Sequence, residues 1–126
     1  MKNGLYRKIV DESLEPIIAT DREGRIILWN SGAVRTFGYD VKEAMGKSLD
    51  LIIPEKHRDR HWKGYRRVMD TGRTVYGGKK LNVPSLSKGG DRVFLEFTIV
   101  LIPGERESPV AVAAVMHDMT DHQHRS

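Results

Sequence analysis

Two hydrophobic periods alternate along the chain, and the points where they change outline its elements. Residues 5–14, "LYRKIVDESL", set Leu5, Ile9 and Val10 among charges at helical spacing and predict a short amphipathic N-terminal helix. The period then shortens. Runs at 17–20 and 25–29 are β-rich and separated by Asp21-Arg22-Glu23-Gly24, in which Gly24 supplies the left-handed residue of a tight turn, so a β-hairpin is expected. Asn30 and Ser31 can cap a helix over 32–37 that stops at Gly38. Asp40 with Glu43 has the spacing of a capping box for a second helical turn ending at Gly46, and a third turn over 48–52 is stopped by Pro54.

The longest helix is predicted over 55–71, "EKHRDRHWKGYRRVMDT", ended by Gly72. Three β-rich runs follow, at 75–83, 92–102 and 110–117, divided by the turn sequences "SKGGD" and "PGERES". In "RVFLEFTIVLI" the period of two puts Val93, Leu95, Phe97, Ile99 and Leu101 on one face and Glu96 and Thr98 on the other, so one face is a core or a pocket wall. This order of elements predicts an α+β domain: a five-stranded antiparallel sheet with short helices and one longer helix packed on one face.

Composition narrows the chemistry. At 126 residues the chain has room for one core, and its 39% hydrophobic and 30% charged residues are those of a globular domain. No run approaches the roughly 20 apolar residues of a membrane span and no secretory signal is visible, so a cytoplasmic protein is expected. The absence of cysteine removes disulfides, thiolate ligands, covalently attached haem and cysteine nucleophiles. The net charge of +4 does not imply nucleic acid, because outside the long helix basic and acidic residues alternate. Neither "GG" pair has the context of a phosphate loop, and the serines fall in caps and loops away from any histidine. No enzymatic activity is therefore expected.

The long helix carries His57 and His61. At about 100° per residue, His57, Gly64, Tyr65, Val68, Met69 and Gly72 fall on the same side as His61. Lys56, Asp59, Arg60, Lys63, Arg66, Arg67 and Asp70 occupy the other arc, and Arg58 is the one charge that strays inward. An inward histidine has three readings: a core residue bonded to a carbonyl, one half of a His-x-x-x-His metal pair, or a neutral imidazole on a haem iron. No Glu follows His57 to complete a metalloprotease motif, and His57 is assigned to packing or an edge hydrogen bond. Trp29, Phe37, Trp62 and Tyr65 read as core aromatics, with Trp62 and Tyr65 also placed to line a pocket mouth.

The segments "PIIATDREGRIILWNSGAVRTFGYDVKEAMGKSLDLIIP", "SKGGDRVFLEFTI" and "VMHDMTDHQ" together resemble the PAS domain family of bacterial sensory modules. Asp118-Met119-Thr120 stands where that family commonly has Asp-Ile-Thr before an output linker. The resemblance implies a division into an N-terminal flanking helix (1–14), a sensor domain (15–121) and the start of a linker or tail (122–126), with a pocket between helices and sheet. The segment "IPEKHRDRHWKGYRRVMDTG" is similar to the one that carries the proximal histidine in haem-PAS oxygen sensors of rhizobial kinases and of a bacterial phosphodiesterase. It implies haem b, with His61 as the iron ligand and Arg67 near a propionate, and with Tyr65, Leu81, Val83, Phe97 and Ile99 lining the pocket.

Counting on without a gap, Leu81 stands at the distal arginine of those sensors and Lys79 at the distal methionine. An apolar Leu81 cannot donate a hydrogen bond to bound oxygen, so carbon monoxide, nitric oxide or redox state is the better candidate signal unless Lys79 or Lys80 turns inward. A flavin or other small molecule held non-covalently, and an empty pocket in a dimerisation module, are the alternatives. The expected partners are a second copy, through the N-terminal helix and a sheet face, and an output domain: a kinase, a cyclase or phosphodiesterase, or a transcriptional regulator.

Overall fold

In the computed structural model, residues 2–73, 81–105 and 108–120 are described. The hairpin forms as its turn chemistry requires. The Asp21 carboxylate accepts from the backbone N–H of Glu23 and of Arg25, and Gly24 takes a φ of 80° between β1 (Ile17–Asp21) and β2 (Ile26–Trp29). Strands β3 (Leu81–Leu86), β4 (Arg92–Pro103) and β5 (Pro109–Asp118) complete a five-stranded antiparallel sheet in the order β2-β1-β5-β4-β3. β5 lies between β1 and β4 and joins the hairpin to the C-terminal strands.

Register assigns the faces. Ile18 lies opposite Ala114, Ala114 opposite Ile99, Met116 opposite Phe97, and Phe97 opposite Leu81, so these side chains share the helix-covered face. Ile18, Ile26, Val93, Leu95 and Met116 form the core there with Trp29, Ala33, Phe37, Ala44 and Ile52. Phe37, with none of its surface exposed, contributes about 3 kcal/mol of burial.

Among the described residues the helices are α1 (Lys2–Glu12), α2 (Ser31–Phe37), α3 (Val41–Ala44) and α4 (Glu55–Thr71), with a 3₁₀ turn at Leu49–Ile52. The caps are those read from the sequence. Asn30 caps α2, Asp40 and Glu43 make the reciprocal capping box, and Gly38 and Gly72 close α2 and α4 in the left-handed conformation.

Buried Asn30 does more than cap. Its Oδ1 accepts from Ile17 N as well as Ala33 N, and its Nδ2 donates to the carbonyls of Val10, Ser13 and Glu15. One amide thus joins α1, the approach to β1, and α2. The close approach of Glu15 to α2 depends on Gly32, where a β-carbon would stand 2.3 Å from the Glu15 carbonyl oxygen.

Three expectations need correction. The strand expected over 75–83 is described from Leu81 and runs on to Leu86, while its 75–80 portion lies outside the described residues. Pro84 does not end it: β3 is an edge strand, where a missing N–H leaves no ladder bond unmade. Gly64, expected on the inner face of α4, is exposed. The N-terminal helix starts and ends a little earlier than expected, and none of its residues is buried.

Candidate functional site

Helix α4 crosses over the hairpin and is held by a few specific contacts. Its buried row is Tyr65 and Met69, with His57, His61 and Val68 half-buried. The Tyr65 hydroxyl donates to the Asp21 carbonyl and accepts from Thr20 Oγ1 at 2.8 Å, fastening the middle of α4 to the end of β1. Trp62 donates from Nε1 to Asp50 Oδ1 at 2.7 Å, and the outer edge of its indole lies on Gly24, where a β-carbon would meet Cη2 at 2.2 Å. Arg58, the stray charge of the helix pattern, turns back to donate to the carbonyls of Ile53 and Asp50. Its inward position is structural, and it satisfies backbone oxygens beside the 3₁₀ turn.

His61 sits between the two aromatic residues, its ring centroid 4.5 Å from Trp62 in an edge-to-face arrangement and 5.9 Å from Tyr65. Its Nδ1 is buried without a hydrogen-bond partner. Burial holds the imidazole below its usual pKa, opposed in part by the negative charge of Asp50, so the ring is neutral near pH 7. Burial also raises the Tyr65 hydroxyl above its ordinary value, against the effect of the Thr20 hydrogen bond. A neutral imidazole keeps a lone pair on one ring nitrogen for an iron or a hydrogen-bond donor, and the second nitrogen, here the buried Nδ1, is left without a bond.

The sheet opposite grades from sealed to open. Val93 and Leu95 are buried, whereas Phe97, Ile99 and Leu101 further along the same face of β4 are half-buried. Leu81 is half-buried and Val83, on that same face, is 38% exposed. An apolar side chain on the helix side of the sheet that keeps this much exposure means that α4 does not close over β3. The wall of Leu81, Val83, Phe97 and Ile99 is therefore apolar and accessible.

Of the expected site residues, His61 and Tyr65 come together on α4, and Leu81, Val83, Phe97 and Ile99 share the inner face of the sheet. Arg67 does not join them: it is exposed on the solvent arc of α4. Lys79 and Lys80 lie outside the described residues. His57 lines a separate open cleft of about 650 Å³ with Pro54, Lys56, Pro84, Leu86 and Arg92, at the start of α4. Among the described residues no third ligand completes a metal group with the two histidines. Asp50 and Gly24 escaped sequence reasoning, since nothing in their local pattern pairs either with a residue on α4.

An antiparallel sheet with one face partly covered by short helices and one longer helix, which presents a neutral histidine, defines a small α+β domain. The chain belongs to the PAS-fold family, whose model matches residues 10–124. It is 29% identical over 107 residues to the sensor protein FixL of Bradyrhizobium diazoefficiens, covering 72% of this chain and 21% of FixL. It is 18% identical over 103 residues to the oxygen sensor protein DosP of Escherichia coli, covering 82% of this chain and 13% of DosP. Among solved structures, a PAS domain from Colwellia psychrerythraea superposes with a TM-score of 0.82 at 22% identity, over 96% of this chain and 99% of that one. An RNA-binding light-oxygen-voltage receptor superposes with a TM-score of 0.76 at 14% identity, over 98% of this chain and 35% of that one. The chain thus spans about a fifth or less of the length of FixL and of DosP.

The residues present fit a haem. The unengaged Nδ1 marks a histidine without a protein partner, burial keeps that histidine neutral, and the accessible sheet wall is apolar, as a flat hydrophobic macrocycle requires.

Proposed function

We propose that this domain is a sensory module that binds haem b between α4 and the sheet, with His61 as the iron ligand, and relays occupancy or redox state to an output domain. The observation that carries the reading is the neutral, partnerless His61 imidazole on the inner face of α4, in a domain whose apolar sheet wall is open. Similarity to the oxygen sensor protein DosP supports it. When bound, the haem would supply reversible binding of a small gas or a change of iron oxidation state. The chain's own residues would hold it: His61 would provide the nitrogen and Leu81, Val83, Phe97 and Ile99 an apolar wall for the ring, while Trp62 and Tyr65 fix the helix that carries His61.

Leu81 supplies no hydrogen-bond donor to a bound gas, which favours carbon monoxide, nitric oxide or redox state over oxygen as the signal. The relay leaves through Asp118-Met119-Thr120. Met119 N–H donates to Phe94 O, and Phe94 N–H donates to Thr120 Oγ1, so the end of the domain is tied to β4 between the core residues Val93 and Leu95. The module binds and relays without catalysing a reaction, and its output is a kinase, a cyclase or phosphodiesterase, or a transcriptional regulator. The test is the absorption spectrum after adding hemin, for the wild type and for His61→Ala. A sharp Soret band abolished by the substitution supports the reading. A spectrum like that of free hemin in both proteins overturns it, and a flavin spectrum in the protein as purified would assign the pocket to that cofactor instead.

A second reading, compatible with the first, is homodimerisation through α1 and the outer face of the sheet. Leu5, Tyr6 and Ile9 on α1 are 55%, 58% and 58% exposed, and Val100 and Val115 on the outer face are 48% and 42% exposed. Sedimentation equilibrium should give a dimer that Ile9→Glu dissociates, and a monomer at all concentrations would defeat this reading.

A further inference from the structure

We propose that Trp62, anchored by Asp50, is the positioning residue that fixes the plane of the His61 imidazole. The functional consequence rests on the haem reading, while the structural claim stands on geometry alone. A histidine that ligates a metal is normally oriented by a hydrogen bond from its second ring nitrogen to a carboxylate or carbonyl. His61 lacks that device, because its Nδ1 has no partner. Rotation about the bond between the β-carbon and the ring is broad, so the plane must be set by whatever touches the ring.

Two rings touch it, and each is anchored to a different element. Tyr65 is fastened to Thr20 and Asp21 at the end of β1. Trp62 is nearer, with its ring plane at 79° to that of His61, and it is clamped at both ends of the indole. Its N–H donates to Asp50 Oδ1, and its far edge rests on Gly24, a position where no larger residue would leave it room. Asp50 is itself fixed: its N–H donates to Ser48 Oγ and its carbonyl accepts from Arg58. The 3₁₀ turn therefore sets the indole, and the indole sets the imidazole. Packing takes the place of the usual carboxylate, so the imidazole gains no added basicity from a hydrogen-bond acceptor.

The test compares Asp50→Ala, Trp62→Phe, the double variant and Asp50→Asn, which keeps an acceptor oxygen for the indole N–H. In cofactor-free protein labelled with ¹³C-histidine and held at about pH 8, where the ring is neutral with or without the Asp50 charge, the His61 ring cross-peak should shift and broaden in Asp50→Ala and Trp62→Phe and return close to its wild-type position in Asp50→Asn. In protein loaded with hemin, each of the first two variants should release haem about tenfold faster and displace the iron–histidine stretching band. The double variant should be no worse than either single one, because both break the same link. An unmoved His61 cross-peak in Asp50→Ala, with haem release within about twofold of wild type, on a scale where lost outer contacts cost tenfold or more, overturns the proposal. A wild-type protein without a Soret band defeats the haem reading alone, and the ring measurement then decides the positioning.

Discussion

Replacing Asn30 by alanine is the sharpest test of how the flanking helix is joined to the domain. The side chain is 2% exposed and makes five contacts within hydrogen-bond distance: Oδ1 from Ile17 N at 2.8 Å and Ala33 N at 2.9 Å, and Nδ2 to Val10 O at 2.8 Å, Glu15 O at 3.0 Å and Ser13 O at 3.3 Å. The amide has only two protons, so the three carbonyls share them and about four net bonds are at stake, each worth about 1 kcal/mol. Alanine also leaves the N–H groups of Ile17 and Ala33 without their acceptor, while water recovers part of the loss at the α1 end. The expected cost is about 3–4 kcal/mol, more than an ordinary cap and a large part of the stability of a domain this size. In thermal melts that is a fall of about 10–15 °C. Urea unfolding followed by tryptophan fluorescence measures it, since Trp29 is adjacent and 3% exposed. Asn30→Asp separates the two halves of the network: it keeps the acceptor for Ile17 and Ala33 but presents a carboxylate oxygen to the carbonyls of α1 and its linker. It should lose at least as much as alanine at neutral pH. An Asp variant closer to wild type than the Ala variant would show that the donor half contributes nothing and refute the reasoning.

Two helical glycines should respond with opposite signs. Gly32→Ala forces a methyl into the Glu15 and Leu14 carbonyls and should cost about 2–3 kcal/mol in urea unfolding, whereas Gly64→Ala, with nothing within 4 Å, should gain about 0.5–1 kcal/mol. Tyr65→Phe removes the hydroxyl shared by Thr20 and Asp21 and should cost about 1–2 kcal/mol, with Thr20→Val adding little on top, as a double-mutant cycle would reveal. Burial holds the His61 pKa below the usual 6.5 of a histidine, so in cofactor-free protein the unfolded state takes up a proton that the folded state resists. The contribution is complete above the unfolded value and is lost as pH falls through the folded one. Wild type should thus lose stability as pH falls from about 7.5 through the unfolded value and on to the lowered folded one, a loss that His61→Gln avoids, and parallel curves would refute it.

How much of this was legible in the sequence depended on how local each cause is. The caps at Asn30, Asp40, Gly38 and Gly72 and the hairpin at Asp21–Gly24 are set by residues within a few positions of one another, and they were read correctly. The inner face of β4 also followed from its period of two. The extension of β3 through Pro84 was not legible, because a proline's effect in a strand depends on which side the neighbouring strand lies, and edge position is a property of the sheet order. Arg58 was visible as an anomaly, but its explanation needed two carbonyls of the preceding turn brought under it.

The site shows the same division. That His61 faces inward followed from helix geometry; that its Nδ1 finds no partner could not, because a partner can come from any element the fold brings near. The Trp62 to Asp50 bond spans 12 positions, and the overlap of Trp62 with Gly24 spans the whole of α2 and α3. Gly24 read locally as a turn glycine, and its φ of 80° confirms that role. Its second role, as the floor on which the indole lies, is invisible until α4 is placed over the hairpin. One residue therefore serves both the local turn and the distant helix, and a β-carbon there would disturb the turn and the orientation of His61 together.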